Sequence, residues 1–406
     1  MPFHTFISVW LSTYTGGLDY WKVWKDILTA LVTILCIATV FLTSKVSKLY
    51  KNILILISIY ALLHLILFFS SSQPLLTGAL ALTYNLRIFC YLIIGYSLVL
   101  LLPKAKLQSK YVKILILLSS VVCFLAILQY LLPRDIMTNF GYAVERGVKP
   151  NFFIDDKPDL FRAFSTLKDP NSLGAFLILP IVLLSQKLMT GWKTNRHSLI
   201  GGLLLLHVWV LFLTFSRSAL LATGLAIASL LIIEKRGLII KHKKIIIYGA
   251  TIFFIMILGG LYLLRDQYFV QNVVFHADES TVLDSSNELR FKLVREGVSG
   301  TLEKPFGHGP GTAGLVATRL PDGLLTENYY LQISYEVGVL GLCIFLAIIF
   351  LVAKNLWRGR KDSYPVVLIS ALVGLLFTSM LLHTWSNEAV AIGWFMIAGI
   401  LLKEKA

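Results

Sequence analysis

The sequence has few charged residues and few cysteines. Asp, Glu, Lys and Arg make up 15% of its 406 residues, whereas 57% are hydrophobic. This balance is typical of an integral membrane protein and excludes an ordinary soluble domain. We expect no cleaved signal peptide, because the N-terminus has no basic segment followed by a long apolar core and a cleavage site. We predict no disulfide framework and no zinc site, because all four cysteines lie inside apolar runs, at Cys36, Cys90, Cys123 and Cys343.

Long apolar runs are abundant. A helix needs about 17 to 25 residues to cross the hydrocarbon core of a bilayer, and eleven runs approach or reach that length. A further apolar segment near the N-terminus, PFHTFISVWLS, is too short to span, so we place it at the interface or as a partial twelfth helix. The sequence therefore predicts an all-α polytopic membrane protein with about 11–12 transmembrane helices. The predicted spans are 27–44, 52–70, 78–101, 112–132, 170–189, 198–214, 218–233, 245–264, 329–353, 365–381 and 386–402.

Two long polar stretches interrupt the spans and divide the chain into five parts. We predict N-terminal transmembrane helices, an external loop, central transmembrane helices, a second large external loop and C-terminal transmembrane helices. These parts cover residues 1–132, 133–169, 170–264, 265–328 and 329–406.

Charge is distributed unevenly between alternate loops. Six of them together hold 21 of the 37 basic residues but only two acids, with a third acid, Asp362, directly after the fifth loop. Short cytoplasmic loops retain Lys and Arg, so we predict that these six loops are cytoplasmic and that both long loops are external. The net charge of +15 therefore reports membrane topology rather than nucleic-acid binding. The six loops are 45–51, 103–113, 187–197, 234–244, 354–361 and 403–406.

The second external loop contains the glycine-rich segment GHGPGT at 307–312. It lacks the GK[ST] ending of a phosphate-binding P-loop, and its external position separates it from nucleotide. Glycines at this spacing favour tight turns. We also consider a binding role in which the backbone N–H groups of Gly307, Gly309 and Gly311 approach an anionic ligand.

Four motifs in order resemble the O-antigen ligase and Wzy-type polysaccharide polymerase superfamily. They are RAFSTLKDPNSLGAF at 162–176, FSRSALLATGLA at 215–226, the pair ELRFKLVREG and KPFGHGPGT at 288–297 and 304–312, and ENYYLQISYEVGVLG at 327–341. The resemblance covers roughly residues 162–341 in motif detail, and the rest of the chain in hydropathy.

The resemblance implies a GT-C-like bacterial membrane glycosyltransferase in the plasma (inner) membrane, with its active site facing outside. Its donor would be a glycan linked to undecaprenyl pyrophosphate and its acceptor a second glycan. Neither a cofactor, a nucleotide sugar nor an obligatory metal is implied. Other partners would be the lipid bilayer and proteins of polysaccharide export and chain-length control.

Four arginines are candidates for binding the pyrophosphate. A departing diphosphate gains negative charge, and the planar guanidinium group binds phosphate oxygens in pairs. We predict catalytic roles for Arg217 and Arg290 and substrate binding by Arg87 and Arg162. Arg87 lies inside an apolar span, so an intramembrane structural pair is the alternative. For Arg217 the alternative is snorkelling to the interface or pairing with a loop carboxylate.

Glu327 is the candidate base that would accept the proton of the acceptor hydroxyl. In the ligase branch of the superfamily that this chain resembles, the motif is a histidine, then Asn, Ser or Gln, and two later glycines, in the pattern H[NSQ]X9GXXG. Here Asn328, Gly338 and Gly341 fit that pattern, but Glu327 stands in the histidine position. A partly buried glutamate can act as a base or orient a hydroxyl. The alternative is a carboxylate that favours the N-terminal dipole of the following helix.

Further polar residues are weaker candidates. Asn171 follows Asp169 and Pro170, a sequence typical of a helix start, and it is a candidate ligand contact, as is Asn328. Gln332 and Glu336 follow Glu327 at roughly helical spacing, which predicts a polar stripe facing the bundle interior. His383 and Trp385, at an external turn, are interpreted as interfacial residues.

We favour a polymerase that joins lipid-linked repeat units into O-antigen, capsule or exopolysaccharide, because Glu327 replaces the ligase histidine. The first alternative is a ligase that transfers the glycan to a lipid A core or another envelope acceptor. The second is a flippase or other transporter of lipid-linked glycans. Transporters tend to show inverted repeats, whereas the polar residues here are concentrated in one late external loop.

Overall fold

The computed structural model describes residues 1–42, 46–154, 157–190, 197–242, 286–321 and 323–402, with a few positions between 256 and 270. The span predicted at 245–264 lies largely outside these residues. The side chains at 286–290, including that of Arg290, are also outside the description.

Helices form nearly all of the described structure, which confirms the all-α polytopic class. Short 3-10 turns occur at Ile136–Phe140, Val144–Arg146 and Thr384–Ser386, and a two-stranded antiparallel hairpin is formed by β1 (Phe153–Ile154) and β2 (Lys157–Phe161). The helices are α1 (His4–Thr15), α2 (Leu18–Leu42), α3 (Lys48–Ser70), α4 (Leu75–Leu101), α5 (Lys104–Leu131), α6 (Pro170–Met189), α7 (His197–Leu213), α8 (Arg217–Glu234), α9 (Arg236–Lys241), α10 (Ser286–Glu303), α11 (Gly314–Ala317), α12 (Tyr329–Arg358), α13 (Ser363–Ser379) and α14 (Glu388–Leu401).

Ten of the eleven predicted spans correspond to described helices. Within the described part of the chain, seven helices are long and apolar enough to cross a membrane, namely α2 from Tyr20 onward, α3, α4, α5, α6, α8 and α12. The apolar helices α7, α13 and α14 are shorter, with 17, 17 and 14 residues. The N-terminal segment forms α1, a 12-residue helix that packs against α2.

Helix α4 lies at the centre of the N-terminal half and packs against α2 and α14. Small residues allow the closest approach: a Cβ atom on Gly95 of α4 would meet the backbone oxygen of Met396, and one on Gly399 of α14 would meet that of Leu92. Interfaces between helices in lipid are enriched in such residues because dispersion contacts replace the hydrophobic driving force. Helix α14 is thereby held along much of α4.

The N-terminal helix α1 packs against the segment that follows α5. Val9 of α1, Met137, Tyr142 and Phe164 form a small apolar cluster separate from the main core. Val9 and Phe164 are fully buried. This cluster fixes the segment 133–169 over the ends of the helices and thereby forms part of the wall of a cavity.

Helix α12 is broken near its N-terminal end. Val337 and Gly338 have non-helical backbone angles, and Gly338 has a φ of 75°, which favours glycine. Residues of the GHGPGT segment bind backbone groups freed by the break: the N–H of His308 donates to Tyr335 and that of Gly309 to Glu336, each at 2.9 Å. A break inside an apolar helix is tolerated only where such partners exist.

Candidate functional site

A cavity of about 660 Å³ lies among the first turns of several helices. Its wall is built from α1, the N-terminal part of α2, α4, the start of α6, α11 and the turns that precede α12 and α14. Arg87 lies twelve residues into α4, which is about 18 Å along the helix axis. The cavity therefore extends well below the helix ends that the charge pattern predicts to be external.

The cavity wall carries both signs of charge, with cations in excess. Among the residues that the structure describes, six Lys or Arg side chains and four Asp or Glu side chains line it. Such a wall suits an anionic group attached to a polar one, because fixed cations offset the cost of bringing phosphate into a partly dry site. The cations are Lys22, Lys25, Arg87, Arg146, Lys168 and Arg319, and the acids are Asp26, Asp169, Glu327 and Glu388.

Arg87 lines the cavity, but its guanidinium is engaged by the protein itself. It forms ion pairs with Glu388 at 3.1 Å and Asp26 at 3.5 Å and donates to the backbone oxygen of Ser386. Its Cζ atom also lies 4.2 Å from the ring centre of Tyr84. These contacts fit the intramembrane structural pair given as the alternative for Arg87, and its substrate contact stays a prediction.

Arg162 joins the first motif, at 162–176, to Thr214, the residue directly before the second motif. Its Nε donates to the backbone oxygen of Thr214 at 2.9 Å and its Nη2 to Oδ1 of Asn171 at 2.9 Å. Asn171 lines the cavity. Arg162 therefore acts through its neighbours: it orients Asn171 and holds the turn that leads into Arg217, the first residue of α8.

The predicted helix start at Asp169 and Pro170 is confirmed. Pro170 is the first residue of α6, and Oδ1 of Asp169 accepts a hydrogen bond from the backbone N–H of Ser172 at 2.8 Å. This cap satisfies a donor that the first helical turn leaves free. It also places Asn171 in the first turn of α6.

Neither Arg162 nor Arg217 is among the described residues that line the cavity. Arg217 is half-buried and has interaction partners. Arg290 lies in α10, but its side chain is outside the described part of the chain. The structure thus brings Arg87, Asn171 and Glu327 to one cavity, with Arg162 behind Asn171.

Backbone strain marks three of the recognised motifs. Among the described residues, three non-glycine residues have positive φ: Ser165 at 54°, Phe215 at 48° and Glu327 at 46°. Each such conformation costs about 1–3 kcal/mol and persists only where its surroundings hold it. Gln129 of α5 supplies such support, because its Oε1 accepts hydrogen bonds from the N–H groups of Phe164 and Ser165. Strain of this kind clusters at functional sites.

Glu327 lines the cavity at the turn before α12. The residue that caps the helix is its neighbour Asn328, whose Oδ1 accepts hydrogen bonds from the N–H groups of Tyr330 and Leu331 at 2.9 and 3.0 Å. The side-chain amide of Asn328 donates to the backbone oxygen of Met380 at 2.9 Å. Asn328 therefore caps α12 and fixes the position of Glu327, and its predicted substrate contact stays a prediction.

The glycine-rich segment uses its N–H groups within the protein. Gly309 donates to the backbone oxygen of Glu336 and Gly311 to its Oε1 atom, both at 2.9 Å. Neither glycine lines the cavity in the described structure. Gly307, Gly309 and Gly311 all have positive φ, which agrees with the tight-turn interpretation. The contact of these N–H groups with an anionic ligand stays a prediction.

The turn before α14 differs from the sequence interpretation. Trp385 is fully buried and packs edge-on against Trp394 and Phe395, so it is not an interfacial residue. His383 lines the cavity, and burial together with Lys168 lowers the pKa of its imidazole to about 4. Among the described residues, none forms a hydrogen bond with Nε2 of His383. The side chain is thus a neutral imidazole at the cavity wall.

Sequence reasoning missed the buried charged group around Arg87. Lys25 and Glu388 form an ion pair, with the Lys25 side chain 6% and that of Glu388 14% exposed. Charged residues within or beside apolar spans mark functional or paired sites. Lys25 and Asp26 directly precede the first predicted span, and Glu388 lies near the start of the last one. The charged residues at the edges of the first and last predicted spans were therefore the sequence signal for this buried group.

Comparison with known proteins agrees with the four motifs. Residues 202–346 match a family model described as O-antigen ligase. The chain is also 24% identical over 246 residues to an O-antigen polymerase of Salmonella muenchen. That alignment covers 60% of this chain and 59% of the relative, so the chain spans about three fifths of the relative's length. The two matches support the resemblance of this integral membrane protein to the O-antigen ligase and Wzy-type polymerase superfamily.

Proposed function

We propose that the protein polymerises oligosaccharide repeat units linked to undecaprenyl pyrophosphate, on the outer face of the bacterial inner membrane. The observation that carries this proposal is the placement of Glu327, in a strained turn, at the wall of a cavity in which cations outnumber carboxylates. The named polymerase relative supports it. The glutamate in place of the ligase histidine also favours polymerisation over ligation.

The reaction breaks the bond between the anomeric carbon of the donor glycan and the pyrophosphate oxygen. A hydroxyl oxygen of the acceptor glycan forms the new bond to that carbon from the opposite face. The hydroxyl proton passes to the carboxylate of Glu327, and undecaprenyl pyrophosphate leaves with the bonding electrons. A cation beside the leaving group lowers the barrier because the negative charge increases in the transition state.

Several cationic side chains at or near the cavity suit the pyrophosphate leaving group. Lys168 and Arg319 are exposed at the cavity wall. Arg217 begins α8, next to the turn that Arg162 holds. We assign the initial capture of pyrophosphate to Lys168 and Arg319 and its stabilisation during transfer to Arg217 and Arg290. Arg87, already paired with two acids, shapes the cavity.

The test is the joining of repeat units by purified protein. Wild-type protein in detergent, given a single lipid-pyrophosphate repeat unit, should produce a ladder of longer glycans. The matched variant Glu327→Gln should produce none while retaining its elution profile. A ladder excludes transport as the main activity, because detergent leaves no second compartment. A preparation that forms no ladder but transfers one glycan to a different acceptor would contradict polymerisation.

Ligation is the second candidate because the matching family model is described as O-antigen ligase. Gene deletion separates the two activities. Loss of a polymerase collapses the glycan in cells to single repeats. Loss of a ligase leaves long glycan that is not attached to its envelope acceptor.

A further inference from the structure

Glu336 is a fully buried carboxylate within the apolar helix α12, next to the break at Val337. Both of its oxygens accept hydrogen bonds. Oε2 accepts from the side-chain amide of Asn85 in α4 at 2.6 Å, and Oε1 accepts from the N–H of Gly311 at 2.9 Å and, more weakly, from that of Ala313 at 3.4 Å. A buried carboxylate persists only with partners of this kind.

Asn85, the partner of Oε2, is itself hydrogen-bonded to neighbouring helices. The side-chain nitrogen of Asn85 lies 3.3 Å from Nε2 of His64, and Nδ1 of His64 lies 2.9 Å from the backbone oxygen of Tyr60. The amide nitrogen of Gln332 donates to Oδ1 of Asn85 at 3.5 Å. Three helices, α3, α4 and α12, are thereby tied to one carboxylate. A connected buried network of this type rigidifies its surroundings.

The segment bound by Glu336 leads directly into the cavity wall. Gly311 and Ala313 precede α11, and the stretch from Leu315 to Arg319 lines the cavity. The chain then returns, because the N–H of Gly314 donates to the oxygen of Leu324 and the N–H of Leu324 to that of Thr312. Glu327 follows only three residues later.

We propose that Glu336 is a positioning residue that places Arg319 and Glu327 at the cavity through its hydrogen bonds to Gly311 and Ala313. This role rests on the proposed function, because it assumes that Glu327 reacts with the substrate. Glu336 lies outside the cavity lining of the described structure, so it acts through the loop rather than on the glycan.

To position the loop in this way, the side chain of Glu336 has to accept hydrogen bonds at both of its oxygens. In Glu336→Gln one face of the side chain becomes an NH2 group, which meets a donor instead of an acceptor. Asn85→Asp supplies the missing acceptor opposite that NH2 group. Nδ1 of His64 already donates to the backbone oxygen of Tyr60, so Nε2 donates to Asp only when His64 takes up a second ring proton. The pair Glu336→Gln with Asn85→Asp therefore restores the contact between α12 and α4 and moves the charge from α12 to α4. An effect of charge alone would not be restored in this way.

The experiment measures transfer kinetics and hydrogen exchange of residues 307–324 in purified full-length protein. In Glu336→Ala we expect a loss of kcat of roughly 100-fold, because small displacements of reacting groups have effects of that size, with a smaller change in KM. Exchange at 307–313 should become at least several-fold faster. For Glu336→Gln, both kcat and the exchange rate should lie between those of wild type and Glu336→Ala. In the double variant both should return to within a few-fold of wild type. Glu303→Gln, an exposed glutamate at the end of α10, is the matched control and should change neither quantity.

The two readouts separate this inference from the proposed function. Exchange does not depend on catalysis. If wild-type protein joins no repeat units but exchange at 307–313 is faster in Glu336→Ala than in wild type, polymerisation is refuted and the anchoring of the loop is supported. Unchanged exchange at 307–313 in Glu336→Ala overturns the inference even when polymerisation is observed. If the double variant fails to insert, exchange at 307–313 in Glu336→Gln decides: faster exchange than in wild type supports the inference, and unchanged exchange overturns it.

Discussion

Nη1 of Arg87 lies 3.1 Å from Oε1 of Glu388, and this ion pair joins α4 to α14 beside the cavity. Lys25 pairs with the same oxygen of Glu388. Glu388 therefore serves two cations, whereas Arg87 has a second acid within reach in Asp26. The four charges depend on one another, because each alone would be costly in a partly buried position.

This arrangement predicts an order of destabilisation. Glu388→Gln leaves two cations with a single acid, and we expect a loss of about 3–5 kcal/mol, as for a broken buried pair. Arg87→Gln leaves Lys25 and Glu388 paired, so its loss should be smaller. Apparent melting temperatures in detergent will show the order. Glu145→Gln, at an exposed position, is the control, and a larger loss in Arg87→Gln than in Glu388→Gln would contradict the assignment.

Arg217→Ala and Arg290→Ala should abolish transfer without loss of membrane insertion. Removal of one group that stabilises transition-state charge costs about 100- to 1,000-fold in rate. Ladder formation by purified variants is the measurement. Arg236→Ala, an exposed arginine in a predicted cytoplasmic loop, should retain activity. Wild-type rates in both test variants would show that the pyrophosphate is bound elsewhere.

Glu327→Gly should separate stability from activity. Glycine adopts a φ near 46° without strain, so we expect the apparent melting temperature to stay equal or rise. Transfer should fall by about 100- to 10,000-fold because the proton acceptor is lost. Asn328→Ala is the complementary variant, since it removes the cap of α12 and should lower both stability and activity. A Glu327→Gly protein with full activity would exclude Glu327 as the base.

His383 should make the folded protein acid-sensitive. Its pKa is about 4 in the fold, below the ordinary value of about 6.5, so the unfolded chain binds more protons between these values. The stability contributed by neutral His383 is complete above about pH 6.5 and is lost as the pH falls toward 4. Melting curves across this range should show wild type losing stability relative to His383→Gln as the pH falls. An equal pH dependence of both proteins would contradict this prediction.

Much of the fold follows from hydropathy. A helix in lipid must be apolar along its length, and this requirement made α3 and α12 recognisable in the sequence. The break at Gly338 was not predicted, because it depends on N–H groups from His308 and Gly309, which lie far away in the chain. Local sequence cannot report a hydrogen-bond partner that only the tertiary fold supplies.

The site was predictable only in part. Glu327 and Asn171 could be found because motif residues at an external turn have few purely structural uses. A structural pair was the alternative for Arg87, but its partner Glu388 could not be identified, because nothing in the sequence links Arg87 to an acid 301 positions later. The direction of the Gly309 and Gly311 N–H groups likewise depends on the buried Glu336.

Asn85 and Arg87 stand two residues apart on α4, so their side chains project in nearly opposite directions, about 200° apart around the helix. One reaches Glu336 of α12 and the other Glu388 of α14. A rotation of α4 about its own axis would therefore stretch or compress both polar contacts together. Substitutions of Asn85 and Arg87 should therefore have non-additive effects on the apparent melting temperature, although the two side chains do not touch. Helix α4 couples the loop held by Glu336 to the charged wall of the cavity.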